Sequence, residues 1–220
     1  YIPANTPFMP MLSGSASVRN ITVMNGGLLT LTGGELKVSG AISSNGGIDA
    51  RSGTVEFNGS GSPQNFYGFM FVEKKIKNLT INNSAGCELT NLIGDTLKLS
   101  GQLRFGNVNT TFNTNNNLYL LSDSLGAASV ADITNGGVNT NVISGEVTVE
   151  TFINRGRKWR FLSIPVSGSQ TFRQAWQEGN NVAGGNSRPG YGTIMTDNNT
   201  AGYAVSGFDF YSPGGPSIKK

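Results

Sequence analysis

A short pattern of apolar and polar positions recurs along the first two thirds of the chain. Two apolar residues flank one other residue and are followed by a polar residue and a glycine, which is typical of a short strand that ends at a tight corner. From position 36 onward the copies begin at 36, 55, 79, 97 and 118, in steps of 19, 24, 18 and 21 residues. The clearest copies are Leu29-Thr-Leu-Thr-Gly33, Leu36-Lys-Val-Ser-Gly40 and Leu97-Lys-Leu-Ser-Gly101, and looser copies begin at Val55, Leu79 and Leu118.

This repeat predicts an all-β protein whose main part is a right-handed parallel β-solenoid, similar to a β-helix, over residues 13–150. Because side chains alternate along a strand, both apolar positions of each copy should lie on one face. The intervening Lys37 and Lys98 should then point outward. The residues expected to form inward ladders are Leu36, Val38, Leu97, Leu99, Leu118 and Leu120.

The ends of the chain, and one internal segment, depart from the repeat. Residues 1–12 contain three prolines and predict an extended lead-in. Residues 151–220 predict a partial β-sandwich-like segment, with one candidate helix at 170–179. The aromatic segment Phe66-Tyr-Gly-Phe-Met-Phe-Val72 is denser than a strand of the repeat, so we expect a loop or cap strand laid over one side of the solenoid. The chain also starts without methionine, as a piece of a longer protein would.

Composition limits the chemistry that the chain can perform. The 220 residues include no histidine and one cysteine, which excludes His-based triads, His-dependent zinc sites and thiolate clusters. The alternation around Cys87 predicts a buried apolar residue beside Leu89 rather than a reactive thiol. Glu146 and Glu150 share one face of a predicted strand, and we interpret them as solvated charges. We therefore predict no enzymatic activity, no cofactor and no metal site.

The chain has a small net charge and one cluster of basic residues. A net charge of +3 does not indicate binding to nucleic acid or an anionic membrane, and no segment is long and apolar enough to predict membrane insertion. Arginine and tryptophan together can clamp phosphate or an acidic glycan, so the cluster is a candidate ligand site. Its alternation favours a tryptophan packed at a domain junction under arginine stems. The cluster consists of Arg155, Arg157, Lys158, Trp159 and Arg160.

Several phrases in order resemble large secreted surface proteins of the Bacteroidetes that the type IX secretion system exports. The phrases include Gly53-Thr-Val-Glu-Phe-Asn-Gly59, Asn78-Leu-Thr-Ile-Asn-Asn83 and Arg157-Lys-Trp-Arg-Phe-Leu-Ser-Ile-Pro165. The resemblance implies a β-rich stalk or adhesin-like region on the cell surface. It also implies O-glycosylation at Asp-Ser/Thr-apolar, which Asp95-Thr96-Leu97 and Asp123-Ser124-Leu125 match. Ser124 is expected to be the more exposed of the two hydroxyls, and Thr96 should point outward.

The expected function is a non-catalytic structural or adhesive segment of a larger secreted bacterial surface protein. Its expected partners are the type IX machinery during export and a surface glycan or other surface proteins. The alternative is a glycan-binding accessory module of a secreted carbohydrate-processing enzyme. A sugar-binding groove should show exposed aromatic residues at regular steps on one face, whereas Phe57 and Phe105 occupy core positions and Tyr119 alone alternates outward.

Overall fold

The computed structural model describes residues 1–4, 8–134, 136–138, 140–152 and 169. The chain falls into two units, Tyr1–Trp159 and Arg160–Lys220, and apart from Ser169 the second unit lies outside the described residues. The β-sandwich-like segment predicted for residues 151–220, and the helix predicted at 170–179, therefore fall almost wholly outside the part that the structure describes. Every strand of the described residues belongs to the first unit.

The described residues form nineteen strands and one 3₁₀ helix, and no α-helix occurs among them. The strands before the 3₁₀ helix (Gly68–Met70) are β1 (Met11–Leu12), β2 (Ser15–Val18), β3 (Ile21–Val23), β4 (Leu28–Leu31), β5 (Glu35–Val38), β6 (Ile42–Ser44), β7 (Gly47–Phe57) and β8 (Gln64–Phe66). The strands after it are β9 (Phe71–Ile81), β10 (Cys87–Leu89), β11 (Leu97–Leu99), β12 (Gln102–Phe105), β13 (Thr111–Asn113), β14 (Leu118–Leu120), β15 (Ser122–Asp123), β16 (Gly126–Ala127), β17 (Ser129–Val130), β18 (Val142–Ser144) and β19 (Val147–Val149).

The strands stack into a parallel β-solenoid of about five coils, where a coil is one full circuit of the chain. Each coil contributes to three faces. The first face contains β1, β4, the start of β7, the start of β9, β11, β14 and β19. The second contains β2, β5, the end of β7, the end of β9, β12 and β17. The third consists of two sheets, β3–β6 and β8–β10–β13–β18.

The interior is built from ladders of apolar side chains, as the alternation predicts. On the first face Ala50, Ile76, Leu99, Leu120 and Val149 are register partners in successive coils. Lys98 is exposed and Lys37 is half-exposed, so the predicted register is confirmed. All six residues predicted to point inward are buried, namely Leu36, Val38, Leu97, Leu99, Leu118 and Leu120.

The repeated pattern marks faces of the solenoid rather than whole coils. Leu36, Val55 and Leu79 are register partners on the second face, and the next coil places Leu103 beside Leu79. Leu97, in contrast, lies on the first face and pairs with Leu118. The step from 79 to 97 is therefore wrong as a coil length, because any strand that ends at a glycine corner matches the pattern.

The aromatic segment at 66–72 belongs to the solenoid and is not a cap laid over it, so that expectation is wrong. Phe66 ends β8, and its ring stacks on Phe57 with the centroids 4.4 Å apart and lies 6.1 Å from Phe112. Met70 and Phe71 are also buried. The rings fit because they are distributed over two strands and a 3₁₀ corner, so that successive coils share the interior volume.

Asparagine side chains join neighbouring coils at two corners. The Asn20 Oδ1 accepts a hydrogen bond from the Ala41 N–H at 2.8 Å, and the Asn78 Oδ1 accepts one from the Gln102 N–H at 2.9 Å. A glycine precedes each donor, and a Cβ built there would lie 2.3 Å from the asparagine oxygen. The corners therefore require asparagine on one coil and glycine on the next.

Gln64, at the start of β8, is bonded to the end of β5 and to neighbouring corners of the solenoid. Its Nε2 donates to the carbonyl oxygens of Val38 at 2.9 Å and Gly40 at 2.8 Å, and its Oε1 accepts from the Gly59 N–H at 2.7 Å and the Asn83 Nδ2 at 3.1 Å. The side chain is buried. The bonds to Val38 and Gly40 connect β8 to the preceding coil at a point where β6 and β8 belong to different sheets.

Candidate functional site: a lysine-lined groove on the first face

A three-residue insertion interrupts the first face between β7 and β9. Ile48 pairs with Phe71 and Ala50 pairs with Ile76, so two steps along β7 match five along β9. The extra residues form a bulge. Within it Glu73 has a φ of 57° and Lys74 a φ of 54°. Left-handed backbone costs residues other than glycine about 1–3 kcal/mol each, so contacts elsewhere must hold the bulge in place.

One of these contacts is an arginine clamp from β7. The Arg51 guanidinium donates to the Asp49 carboxylate, with Nε–Oδ1 and Nη2–Oδ2 distances of 2.9 and 2.8 Å, and also pairs with the Glu73 carboxylate. The hydrogen bonds from Arg51 hold the pKa of Asp49 below its usual value. The clamp thus ties the first bulge residue to the preceding coil.

A second contact ties the bulge to the following coil. The Lys74 Nζ donates to the Gly94 carbonyl at 2.6 Å and lies 3.7 Å from the Asp95 Oδ1. Asp95 is buried, and its Oδ2 accepts the Gly68 N–H at 2.7 Å. The charge of Lys74 is therefore directed at a buried carboxylate within the fold.

The bulge forms part of the wall of a groove with a volume of about 600 Å³. Lys75 and Lys98 lie side by side in register on β9 and β11, and Tyr119 follows Lys98 on β14. Neither lysine forms an ion pair with any residue that the structure describes. The lysine groove, as we name it, is lined by Glu73, Lys74, Lys75, Thr96, Lys98 and Leu121.

The two hydroxyls predicted from the sequence lie in different elements. Thr96 lines the lysine groove and is half-buried. Ser124 is exposed at the tip of the antiparallel hairpin formed by β15 and β16. The Asp123 Oδ1 shapes that tip by accepting the N–H groups of Leu125 at 2.7 Å and Gly126 at 3.1 Å. The basic cluster of Arg155, Arg157, Lys158, Trp159 and Arg160 lies outside the described residues.

The thiol and the carboxylate pair fit their predicted environments. Cys87 is buried, and burial raises the pKa of its thiol to about 12, so at neutral pH it stays protonated. Glu146 and Glu150 are exposed. In the part of the chain that the structure describes, no three acidic or cysteine side chains converge as metal ligands would. Over the same residues no helix has the length and apolar character to cross a membrane.

The lysine groove itself was missed from the sequence. The step of 24 residues from Val55 to Leu79, against 19 in the preceding coil, shows only that the coil is longer. Four of the five extra residues already lie between Ile48 and Phe71, before the bulge. The place of the insertion was hidden because left-handed backbone is expected at glycine, and here Glu73 and Lys74 adopt it.

No family model, no curated protein and no solved structure matches this chain. The chemistry of the site therefore has to be inferred from its geometry. Two unpaired ammonium groups in a concave surface, beside a tyrosine and a threonine hydroxyl, form a site that can attract an anion and hydrogen-bond a polar ligand.

Proposed function

We propose that this chain is a non-catalytic structural and adhesive segment of a larger secreted bacterial surface protein, exported by type IX secretion. The parallel β-solenoid is the observation that carries the proposal. A solenoid produces long, regular outward faces from few residues per coil, and proteins use such faces for extended contact with a partner. The resemblance to secreted Bacteroidetes surface proteins supplies the compartment and the export route.

The outward residues of the described coils support a binding role over a catalytic one. The carboxylates nearest the lysine groove are committed to partners in the fold, because Asp49 and Glu73 pair with Arg51 and Asp95 is buried against Gly68 and Lys74. An acid or base for catalysis needs a perturbed carboxyl that is free to meet a substrate.

The alternative function is a glycan-binding accessory module of a secreted carbohydrate-processing enzyme. The lysine groove favours it, since a concave surface with hydrogen-bonding groups is how such modules hold sugars. The two functions predict different neighbouring domains in the same polypeptide. A catalytic domain in the same polypeptide would favour the module, and further β-rich repeats would favour the adhesin.

Surface location tests the proposal in the native bacterium. Antibodies raised against residues 1–152 should label intact cells, and protease added outside should remove the label. Inactivating the type IX machinery should abolish the label and leave the protein inside the cell. A protein that stays inside wild-type cells, or reaches the surface equally well without the machinery, would reject this function.

Catalysis is tested separately with the purified chain. We expect no turnover on a panel of polysaccharides and glycosides. Turnover that persists through purification and disappears in Glu73→Gln or Asp49→Asn would show that the segment is an enzyme.

A further inference from the structure

We propose that the lysine groove binds a linear acidic polysaccharide, whose carboxylate or sulfate groups are received by the ammonium groups of Lys75 and Lys98. This inference rests on the adhesive role proposed above and names the class of its ligand. Four observations carry it: an unpaired pair of like charges, a strained bulge beside them, a tyrosine next in register, and the concave shape of the surface.

The two lysines form a like-charge pair that a bound anion would stabilise. Lys75 and Lys98 are register partners on adjacent parallel strands, which lie about 4.8 Å apart. Like charges directly opposite each other destabilise a sheet. An anion bound between the two ammonium groups removes that repulsion. The relief of the repulsion therefore contributes favourably to the free energy of binding.

The bulge places these charges where a ligand can reach them. Bulges re-aim side chains and occur near functional sites, and strained backbone persists where the surrounding structure holds it. Arg51 holds Glu73, and Gly94 and Asp95 hold the Lys74 ammonium. With these groups already engaged, Lys75 and Lys98 remain available to an incoming anion.

The neighbouring groups suit a sugar polymer better than a nucleic acid. Tyr119 is half-buried and follows Lys98 in register, so its ring offers an apolar surface against which a sugar ring can pack. Thr96 supplies a hydroxyl within the groove. The carboxylates of Asp49 and Glu73 are held by Arg51. Two unpaired ammonium groups suit the spaced charges of an acidic polysaccharide better than the dense charge of a phosphate backbone.

An anionic lipid surface is the competing occupant, because the loop beside the groove carries exposed apolar residues. Leu92 is 48% exposed and Ile93 is fully exposed. Binding to a membrane surface takes a broad apolar face with a basic border. Two apolar residues and a concave groove fit a polymer lying in the groove better than they fit a flat bilayer.

The test is a titration of the 220-residue chain with polygalacturonate oligomers at low and at high ionic strength. The groove variant is Lys75→Gln/Lys98→Gln, and the control variant Lys77→Gln/Arg104→Gln removes the same charge from exposed residues that do not line the groove. We expect the groove variant to weaken binding by roughly tenfold or more, because it loses two charged contacts. The control variant should change affinity by less than about twofold, and high salt should weaken binding to the unmodified chain.

Each other outcome would overturn the inference. The inference fails if polygalacturonate does not bind, if both variants weaken its binding equally, or if neutral dextran binds equally well. It also fails if single-stranded DNA of matched charge binds more tightly than polygalacturonate. A preference for anionic phosphatidylserine vesicles that Ile93→Ser abolishes would show that the occupant is a membrane surface. Failure here is distinguishable from failure of the proposed function. Cell-surface labelling does not depend on the two lysines, and a protein that binds the polymer but stays inside the cell would reject only the surface role.

Discussion

At the residue scale, Gln64 shows how one polar side chain can join two sheets. Its four hydrogen bonds reach Val38, Gly40, Gly59 and Asn83 across neighbouring coils. Buried backbone groups that lose a partner cost about 1–3 kcal/mol each. Because β6 and β8 belong to different sheets, the bonds from Gln64 to Val38 and Gly40 help to connect β8 to the preceding coil. The side chain should therefore matter for stability well beyond its size.

We predict that Gln64→Ala lowers the free energy of unfolding by about 2–4 kcal/mol, because it leaves buried N–H and C=O groups unpaired. Urea unfolding followed by circular dichroism measures the loss. Gln102→Ala is the matched control, since that side chain is half-exposed, and it should change the free energy by about 0.5 kcal/mol or less. Equal effects of the two substitutions would show that Gln64 does not join the sheets.

Gly101 offers a second test at this scale. A Cβ there would lie 2.3 Å from the Asn78 Oδ1 and 2.6 Å from the Lys77 carbonyl oxygen, so Gly101→Ala should destabilise the protein by about 1–3 kcal/mol through overpacking. At Gly61 a Cβ meets nothing within 4 Å. Gly61→Ala should therefore be neutral or slightly stabilising, by up to about 1 kcal/mol. Thermal melts of both variants check the contrast, and a destabilised Gly61→Ala or an unchanged Gly101→Ala would contradict it.

Sequence reasoning works for residues whose environment follows from alternation and fails for those whose role depends on contacts between coils. The burial of Leu36 and Cys87 was predictable because their neighbours fix the inward face. Gln64 and Asn78 are polar residues beside turns, and the sequence contains many such residues. Gln64 reaches Val38 and Gly40 at separations of 26 and 24 residues, and Asn78 accepts from a donor 24 residues away, so only the stacking of coils distinguishes them.

At the element scale, a buried carboxylate connects three successive parts of the second face. Glu56 on β7 is buried, and its Oε2 lies 3.1 Å from the Lys37 Nζ on β5. The Asn82 Nδ2, just after β9, donates to its Oε1 at 2.7 Å. Burial raises the pKa of Glu56, but the hydrogen bonds from Asn82 and Lys37 outweigh burial, and the pKa lies below its usual value of 4.5.

This arrangement predicts a specific loss of stability in acid. Because the pKa of Glu56 is lower in the folded than in the unfolded state, its contribution is present above pH 4.5 and is lost as the pH falls below 4.5 through the folded value. Glu56→Gln should lower the urea midpoint at neutral pH. As the pH falls below 4.5, the midpoint of this variant should decline less steeply than that of the unmodified protein. Glu146→Gln, at an exposed position, should leave the decline unchanged. An identical acid profile for the Glu56 variant and the unmodified protein would contradict the prediction.

The sequence predicts where the strands are, but it does not predict to which of the three faces each strand belongs. Alternation and glycine corners identify strands on any of the three faces, and so the copy at Leu97 could not be separated from the copies at Leu36, Val55 and Leu79. Coil length then varies along the chain, from 19 residues between Met11 and Thr30 to 31 between Thr111 and Val142. With the face of each strand unassigned, the bulge at Glu73 and the groove beside it could not be located.

At the scale of the whole molecule, the solenoid separates what holds the fold from what meets a partner. Interior ladders, corner asparagines and the Gln64 bridge connect each coil to its neighbours. Outward positions of the first face include the lysine groove, and the exposed hairpin of β15 and β16 follows β14 as a separate two-stranded sheet. Local additions of this kind are tolerated because each coil depends on its neighbours alone.

The exposed hairpin permits a test of modification in the secreting bacterium. We predict a mass increment at Ser124 first and at Thr96 second, because Ser124 is exposed at the hairpin tip whereas Thr96 is half-buried in the groove. Intact mass and peptide mapping of the natively produced protein measure both sites. Ser124→Ala should remove the larger part of the increment.

The motif and the turn can be separated at this hairpin. Asp123→Asn keeps an Oδ1 acceptor for the N–H groups of Leu125 and Gly126, so the turn should persist. It removes the acidic residue of Asp-Ser-Leu, and we therefore expect the increment at Ser124 to disappear although the hydroxyl remains. An increment that survives Asp123→Asn would show that exposure rather than the motif directs the modification. A native mass equal to that of the bare polypeptide would reject glycosylation at both residues, and the adhesive role would still stand because the lysine groove does not require it.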